Sequence, residues 1–171
     1  DSRLGEPFNM VLQDIIWFDD NKQDAIKRMN NDRRTCSIFV GVGDINSETM
    51  DVCEYSYHNV TCFNSTSYPV YNGHPYIKDT IYVNKHSQPS SDPCLADILQ
   101  NGYGNITSQF LWRNAAGISQ TGDQHLAVYD YDNGYMYVGN SQIYVKGQPT
   151  QPAYDRPAVK LDMNQLFSLK L

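Results

Sequence analysis

The residues whose side chains are best suited to take part in catalysis lie in the tripeptide Asn84-Lys85-His86. Residues 80–83 before it read Thr-Ile-Tyr-Val, which predicts a short strand that delivers Asn84 into a loop. There the side-chain amide N–H of Asn84 could stabilise a developing oxyanion, an interaction whose loss typically costs roughly 10²–10³ in rate. A loop asparagine that bonds its own backbone is the commoner arrangement, so this structural alternative stays open.

Arg113 is the second candidate site residue. It lies in a predicted helix, residues 108–115, among otherwise small and apolar residues. A guanidinium in this setting could bind a carboxylate or phosphate, and it could equally be a surface arginine.

The sequence offers no complete nucleophilic or metal-binding constellation. It contains no Gly-x-Ser-x-Gly elbow, P-loop, His-Glu-x-x-His or Gly-x-Gly-x-x-Gly motif. Cys36 has no basic partner that the sequence reveals, so its thiol is not expected to be activated. The histidines also lack the spacing of zinc ligands; they are His58, His74, His86 and His125. We therefore predict no nucleophile, no metal and no cofactor in this chain.

The four cysteines are scattered through the first hundred residues without a Cys-x-x-Cys spacing. This pattern makes zinc improbable and favours disulfides in a secreted or lysosomal protein. Cys53 and Cys62 could face each other across a hairpin, so we expect that pair, with Cys36–Cys94 as the other. Four buried thiols are the alternative.

Three N-glycosylation sequons begin at Asn59, Asn64 and Asn105. Sugar at these positions would place the chain in the secretory pathway, and we expect a lysosomal or extracellular location.

Charge and length exclude some functions. The 171 residues carry a formal net charge of −6, which argues against binding to nucleic-acid phosphates. No run of eighteen apolar residues occurs, so no transmembrane segment is predicted. The first residue is Asp1 rather than Met, and we expect the chain to have been processed or truncated.

The hydrophobic periodicity predicts an α+β protein of one domain, or a large fragment of one. Asn21 is the expected N-cap of the second helix. Asp132-Asn-Gly134 is a turn signal that makes a hairpin of the stretch 121–139. The predicted helices are 8–18, 22–31, 94–99 and 108–115, and the predicted strands are 37–43, 50–57, 60–63, 80–83, 126–129, 135–138 and 159–162. Residues 163–169 are expected to form a terminal helical turn or an extended tail.

Three blocks together resemble the carboxyl-terminal part of the isopenicillin-N acyltransferase-like family of N-terminal-nucleophile hydrolases, including its acid-ceramidase-like members. The first block is the helix pair ending at residues 23–28 with the strands at 37–44 and 52–56. The second is residues 82–94, with Asn84 and His86, and the third is residues 121–130 with 136–138 and 153–157.

The resemblance implies a four-layer αββα sandwich of which this chain supplies part. It implies amide hydrolysis or acyl transfer on N-acyl substrates, with lipid amides among them. The family's nucleophile is an amino-terminal Cys exposed by autocatalytic cleavage, and here it would lie on an upstream fragment, the partner that completes the domain. Asn84 would match the oxyanion-hole asparagine, although Lys85 separates it from His86 where the family has the two adjacent.

This chain alone is then expected to be inactive. The alternative function is a non-catalytic secreted glycoprotein that keeps the scaffold and binds a ligand through some of its thirteen tyrosines.

Overall fold

The computed structural model describes residues 4–84, 89, 92–142, 146–147 and 150–169. By its internal contacts the chain divides into two compact units. Unit 1 is Asp1–Val70 with Tyr76–Val83, and unit 2 is Tyr71–Pro75 with Asn84–Leu171. The fold is α+β, as predicted, with two small antiparallel sheets and several helices. Completion of one domain by an upstream chain stays a prediction.

Unit 1 begins with two helices whose bounds match the sequence prediction. Helix α1 spans Phe8–Phe18 and α2 spans Lys22–Asn31. Between them, the Asn21 side chain accepts a hydrogen bond from the Asp24 backbone N–H at 3.0 Å, which is the predicted N-cap. Arg28 of α2 then reaches back to Asp19 with two hydrogen bonds of 2.7 and 2.8 Å, which fixes the end of α1 against α2.

The first sheet has the strand order β1-β2-β3, formed by Ile38–Asp44, Thr49–Tyr55 and Val60–Phe63. All neighbours are antiparallel, so directly paired residues share a face. One face packs on α1 and α2 and forms the core of the unit. This core consists of Val11, Ala25, Met29, Val40, Val42, Cys53, Tyr55 and Val60.

The other face of this sheet is open along β1. Phe39 is 43% exposed and Met50 is 47% exposed. At Gly41 an added Cβ would meet no atom within 4 Å. Only towards β3 is this face covered, where the Phe63 ring packs edge-on against buried Tyr68 at 5.3 Å.

Two expectations for unit 1 were wrong. Helical spacing predicts one buried face of α1 made of Phe8, Val11, Leu12, Ile15, Ile16 and Phe18, but Ile16 and Phe18 are 74% and 64% exposed. At about 100° per residue, Ile16 lies about 140° around the helix axis from buried Val11 and so faces away from the core. Phe18 lies only about 20° from Val11, but it is the last residue of α1, and its ring faces the Arg28 guanidinium at 5.8 Å. Residues 80–83 form no strand, because no neighbouring strand pairs with them in the described residues, and Tyr82 is nevertheless buried.

Unit 2 contains helix α3, Cys94–Asn101, and a second helix at residues 108–119. Both helices extend beyond their predicted ends at residues 99 and 115. Proline suits a first helical position, yet Pro93 directly precedes α3. The second helix is α-helical at Ser108–Phe110 and Gly117–Ser119 and π-helical between them, at Leu111–Ala116. Its N-cap is Thr107, whose hydroxyl accepts from the Phe110 backbone N–H at 3.1 Å.

The second sheet has the order β4-β5-β6, with β4 at His125–Asp130, β5 at Tyr135–Asn140 and β6 at Val159–Asp162. The predicted hairpin joins β4 to β5, and Gly134 in its turn has a φ of 67°. A terminal helix, one of the two expected alternatives for this segment, follows at Met163–Ser168. Its N-cap is Asp162, which accepts from the Gln165 backbone N–H at 3.0 Å.

This sheet also has one covered face and one open face. On the covered face, buried Trp112 of the π-helical segment lies over Gly139, where an added Cβ would come within 2.8 Å of two ring atoms. On the open face Tyr129 is 56% exposed and Val159 is 63% exposed. The register places six apolar residues on this open face, namely Ala127, Tyr129, Met136, Val138, Val159 and Leu161. Within the described residues every helix is too short or too polar to span a lipid bilayer.

Candidate functional site

Asn84 is a buried side chain, only 5% exposed, at the end of the irregular segment that replaces the predicted strand. Its side-chain amide donates to the carbonyl oxygens of Gly73 at 3.3 Å and Asp92 at 3.0 Å. Because a primary amide carries two protons, these two bonds occupy both of its donors. In this structure Asn84 therefore joins two loop backbones, and an oxyanion could be bound only if one bond were exchanged.

The first of those backbones is the tight turn Tyr71–His74. The backbone N–H of His74 donates to Tyr71 at 2.9 Å, and that of Tyr71 donates to His74 at 3.3 Å. The two rings pack with their centroids 5.0 Å apart, and His74 is only 4% exposed. Gly73 at the tip has a φ of 85°, a conformation that favours glycine. This turn places a buried imidazole beside the residue whose carbonyl binds Asn84.

The second backbone leads directly into helix α3. The Asp92 side chain accepts a hydrogen bond from the Cys94 backbone N–H at 3.0 Å, which closes an Asx-type turn at the start of the helix. The N-cap residue itself is Pro93, which makes no side-chain cap bond. Lys85, His86 and Ser91 lie outside the described residues. Asp92 thus accepts two hydrogen bonds. Its carbonyl oxygen accepts from the Asn84 amide, and its carboxylate accepts from the first residue of α3.

The Asn84 cluster, defined as Tyr71, Gly73, His74, Asn84, Asp92 and Cys94, is the candidate site of unit 2. It combines an amide, an imidazole and a carboxylate on irregular backbone with the half-buried free thiol of Cys94, the first residue of α3. Irregular segments carry catalytic and binding groups more often than regular elements do. Sequence reasoning identified Asn84 but missed Tyr71 and His74, because no local pattern brings residues 71–74 to residue 84.

Arg113 lies on the π-helical segment and is exposed. Its guanidinium makes no hydrogen bond or ion pair with the described residues. Its neighbour Trp112 is buried and donates from Nε1 to the Arg156 carbonyl oxygen at 3.2 Å. The described hydrogen bonds do not join Arg113 to Asn84. π-Helical segments occur often at functional sites, yet nothing in the local sequence signals this one.

The cysteines form one disulfide. Cys53 and Cys62 are directly opposite each other in the β2–β3 register and are bonded, as predicted. Cys36 and Cys94 carry free thiols, so the second predicted pair is not formed. Cys36 belongs to unit 1 and Cys94 to unit 2, and their spacing in sequence gave no hairpin geometry that would bring them together.

The three sequon asparagines, Asn59, Asn64 and Asn105, are all exposed, as attachment of a glycan requires. Asn59 donates from its amide to the Thr61 hydroxyl of its own sequon at 2.8 Å. Asn64 instead accepts from Thr66 and Ser67 through its side-chain oxygen. Asn59 directly precedes β3 and Asn64 directly follows it.

Desolvation raises the pKa of three tyrosines, Tyr55, Tyr131 and Tyr154. Desolvation raises the pKa of Tyr55, against the opposing effect of the Arg34 guanidinium. Desolvation also raises the pKa of Tyr131, and Tyr129 adds to that rise. The Tyr55 hydroxyl has no hydrogen-bond partner among the described residues, so its shift belongs to packing rather than to a reacting group. No set of three or more metal-ligating side chains occurs in the described part of the chain.

Comparison with known proteins gives two relatives, both from Dictyostelium discoideum. The chain is 40% identical to protein dcd1A over 177 aligned residues, which is 98% of this chain and 40% of that protein. It is 37% identical to protein dcd1B over 176 residues, covering 96% of this chain and 35% of that protein. The chain therefore spans about two-fifths of the length of these curated relatives. No family model and no solved structure matches it.

Proposed function

We propose that this chain is the distal part of an amide hydrolase or acyltransferase of the N-terminal-nucleophile type. Its substrates are N-acyl compounds, with lipid amides among them. The reactive thiol is an amino-terminal Cys on a companion segment, and this chain contributes sheet and pocket wall. The resemblance described above is the origin of this proposal, and the following structural observations support it.

The observation that carries the proposal is the layering of both units. In each, a three-stranded antiparallel sheet has helices on one face and exposed apolar side chains on the other. Val159, Tyr129 and Met50 are the most exposed large side chains of these. An open apolar sheet face needs a further layer to cover it, and an αββα sandwich provides one by stacking sheet on sheet.

The length of the relatives also supports the proposal. The two relatives that match this chain are more than twice as long as it is, which leaves room for a segment with the nucleophile and a second layer. The Cys53–Cys62 disulfide and the exposed sequons support the accompanying proposal of a lysosomal or extracellular location.

One observation favours the second candidate function, a secreted glycoprotein that binds a ligand without catalysis. Both amide donors of Asn84 are bonded to backbone carbonyls, which is the arrangement of a structural asparagine. The two functions differ in whether a Cys lies at the amino terminus of a companion polypeptide.

The test is to purify the protein from its native source, sequence the amino terminus of every polypeptide present, and assay hydrolysis of N-acyl substrates. The amidase proposal predicts a companion that begins with Cys and hydrolysis that thiol alkylation abolishes. The matched control is Cys36→Ser, which lies in unit 1 outside the Asn84 cluster and should keep both the activity and its sensitivity to alkylation. A single polypeptide of these residues without hydrolysis would overturn the proposal.

A further inference from the structure

Strand β1 lies at one edge of the first sheet, because the strand order is β1-β2-β3. Its seven residues, Ile38–Asp44, all pair with β2. In an antiparallel edge strand, the N–H and C=O groups on the side away from the partner remain available. No described residue pairs with the outer edge of β1.

This edge lacks the features that natural proteins use to prevent further pairing. Edge strands are commonly blunted by proline, lysine, a bulge or short length. The sequence Ile-Phe-Val-Gly-Val-Gly-Asp contains neither proline nor lysine, and its register with β2 is continuous over seven pairs. Gly41 is exposed with open space at its Cβ position. The edge is therefore both long and accessible.

The inner side chains of β1 are already anchored. Val40 and Val42 are 7% and 8% exposed and belong to the core made with α1 and α2. A strand held in this way needs no rearrangement before another strand pairs with it, so little conformational entropy is lost on its side of a new interface.

The opposite edge of the first sheet, formed by β3, is less suited to pair with a further strand. Strand β3 has four residues and is bracketed by the exposed sequon asparagines Asn59 and Asn64. Glycans at both ends of so short a strand would obstruct a further strand there. Any extension of this sheet is thereby directed to β1.

We propose that β1 is the attachment edge for a β-strand from the polypeptide of the same longer protein outside residues 1–171. Main-chain hydrogen bonds provide the affinity in this mode of recognition, and alternate side chains provide the specificity. Phe39 offers an aromatic cross-strand partner, so the incoming strand carries an aromatic or β-branched residue opposite it. Gly41 and Gly43 leave a shallow trough that larger apolar side chains on that strand fill.

The choice of occupant follows from the relatives, which match this chain almost end to end while being more than twice as long. The inference rests on the proposed function only in requiring that further polypeptide accompanies this chain. It does not depend on the chemistry that the protein catalyses.

The test uses the complete native protein with the photo-crosslinking analogue p-benzoylphenylalanine in place of Phe39. The matched control carries the same analogue in place of Phe8, which has a similar exposure, 39% against 43%, and lies on α1 of the same unit. Peptide mapping identifies the crosslinked partner. We expect the probe at position 39 to capture a peptide from outside residues 1–171, in a yield well above that of the control.

Amide hydrogen exchange at residues 39–43 of the unmodified protein is the second readout. A paired outer edge should slow exchange of every amide in this range at least about 100-fold relative to an unstructured peptide. Fast exchange at alternate residues, or a position-39 probe that captures only residues 1–171 or nothing, would overturn the inference. A protein that hydrolyses N-acyl substrates with an unpaired β1 overturns this inference alone. A protein with a paired β1 and no hydrolysis overturns the proposed function alone.

Discussion

The side-chain amide of Asn84 donates to the carbonyl oxygen of Asp92 at 3.0 Å, and Asp92 in turn accepts from the backbone N–H of Cys94 at 3.0 Å. A second bond from the same amide, to Gly73, connects the Tyr71–His74 turn. One buried asparagine thus links the start of helix α3, at Cys94, to the turn Tyr71–His74. This arrangement makes Asn84 structural in the present state, whatever its part in catalysis.

Replacing Asn84 with alanine should lower the free energy of unfolding by about 1–3 kcal/mol, because two partly buried carbonyl groups lose their donor. Urea denaturation of the purified protein measures this loss. The matched control is Asn101→Ala, at an exposed position at the end of α3, which should change stability by less than about 0.5 kcal/mol. Equal stability of the two variants would remove the structural role of Asn84.

The same variant separates structure from catalysis. If Asn84 also binds an oxyanion, kcat on an N-acyl substrate should fall roughly 10²–10³-fold at a temperature where the variant stays folded. An unchanged kcat in the folded variant would assign Asn84 to the scaffold alone.

Tyr55→Phe should stabilise the protein or leave it unchanged, because the buried Tyr55 hydroxyl has no described hydrogen-bond partner. The variant should also flatten the pH dependence at the alkaline end. Desolvation raises the folded-state pKa of Tyr55, so the unfolded chain releases its proton first, at about pH 10. Stability is therefore complete below that pH and is lost as the pH rises through the folded-state pKa.

Thermal unfolding between pH 8 and pH 11 checks this sign. The wild type should lose stability above about pH 10, and Tyr55→Phe should lose less. The control Tyr103→Phe removes a hydroxyl from a 48% exposed side chain and should leave the alkaline loss as in the wild type. A Tyr55→Phe variant with the full alkaline loss would show that other groups cause it.

Gly139→Ala should destabilise the second sheet, because its Cβ would lie 2.8 Å from two ring atoms of Trp112. Overpacking of this kind typically costs about 1–3 kcal/mol. Gly117→Ala is the control, since its Cβ would lie 3.6 Å from the Trp112 carbonyl oxygen, an ordinary van der Waals distance. We expect lowered stability and altered tryptophan fluorescence at position 139 only, and similar denaturation midpoints for both variants would contradict the contact.

The Cys53–Cys62 bond should stabilise unit 1. Replacing both cysteines with serine should cost about 2–4 kcal/mol, the usual range for a disulfide. Alkylation of the denatured, unreduced protein should modify Cys36 and Cys94 and leave Cys53 and Cys62 unmodified, as peptide mapping would show. Modification of all four without reduction would contradict this assignment.

Local signals predicted much of the fold. Helices α1 and α2 begin and end where expected because the Asn21 cap and the apolar stripes of Val11 and Met29 are encoded nearby in sequence. The β4–β5 hairpin followed from its turn residues, and the Cys53–Cys62 pair from their places on facing strands. In each case residues close in sequence contain the whole signal.

What the sequence left undetermined depends on distant partners. Residues 80–83 have strand-forming side chains but no partner strand, so Tyr82 is buried without joining a sheet. The π-helical turn places Trp112 on Gly139, a contact between residues too far apart to be read locally. Likewise, no local sequence pattern predicts the hydrogen bonds from Asn84 to Gly73 and Asp92.

We propose that the reactive sulfur lies outside this chain. To test this, the native protein is labelled with iodoacetamide until hydrolysis of an N-acyl substrate ceases, and the modified residue is then mapped by peptide sequencing. We expect one label per inactivated molecule, on a Cys at the amino terminus of a companion polypeptide. Inactivation that follows labelling of Cys36 or Cys94 would contradict it.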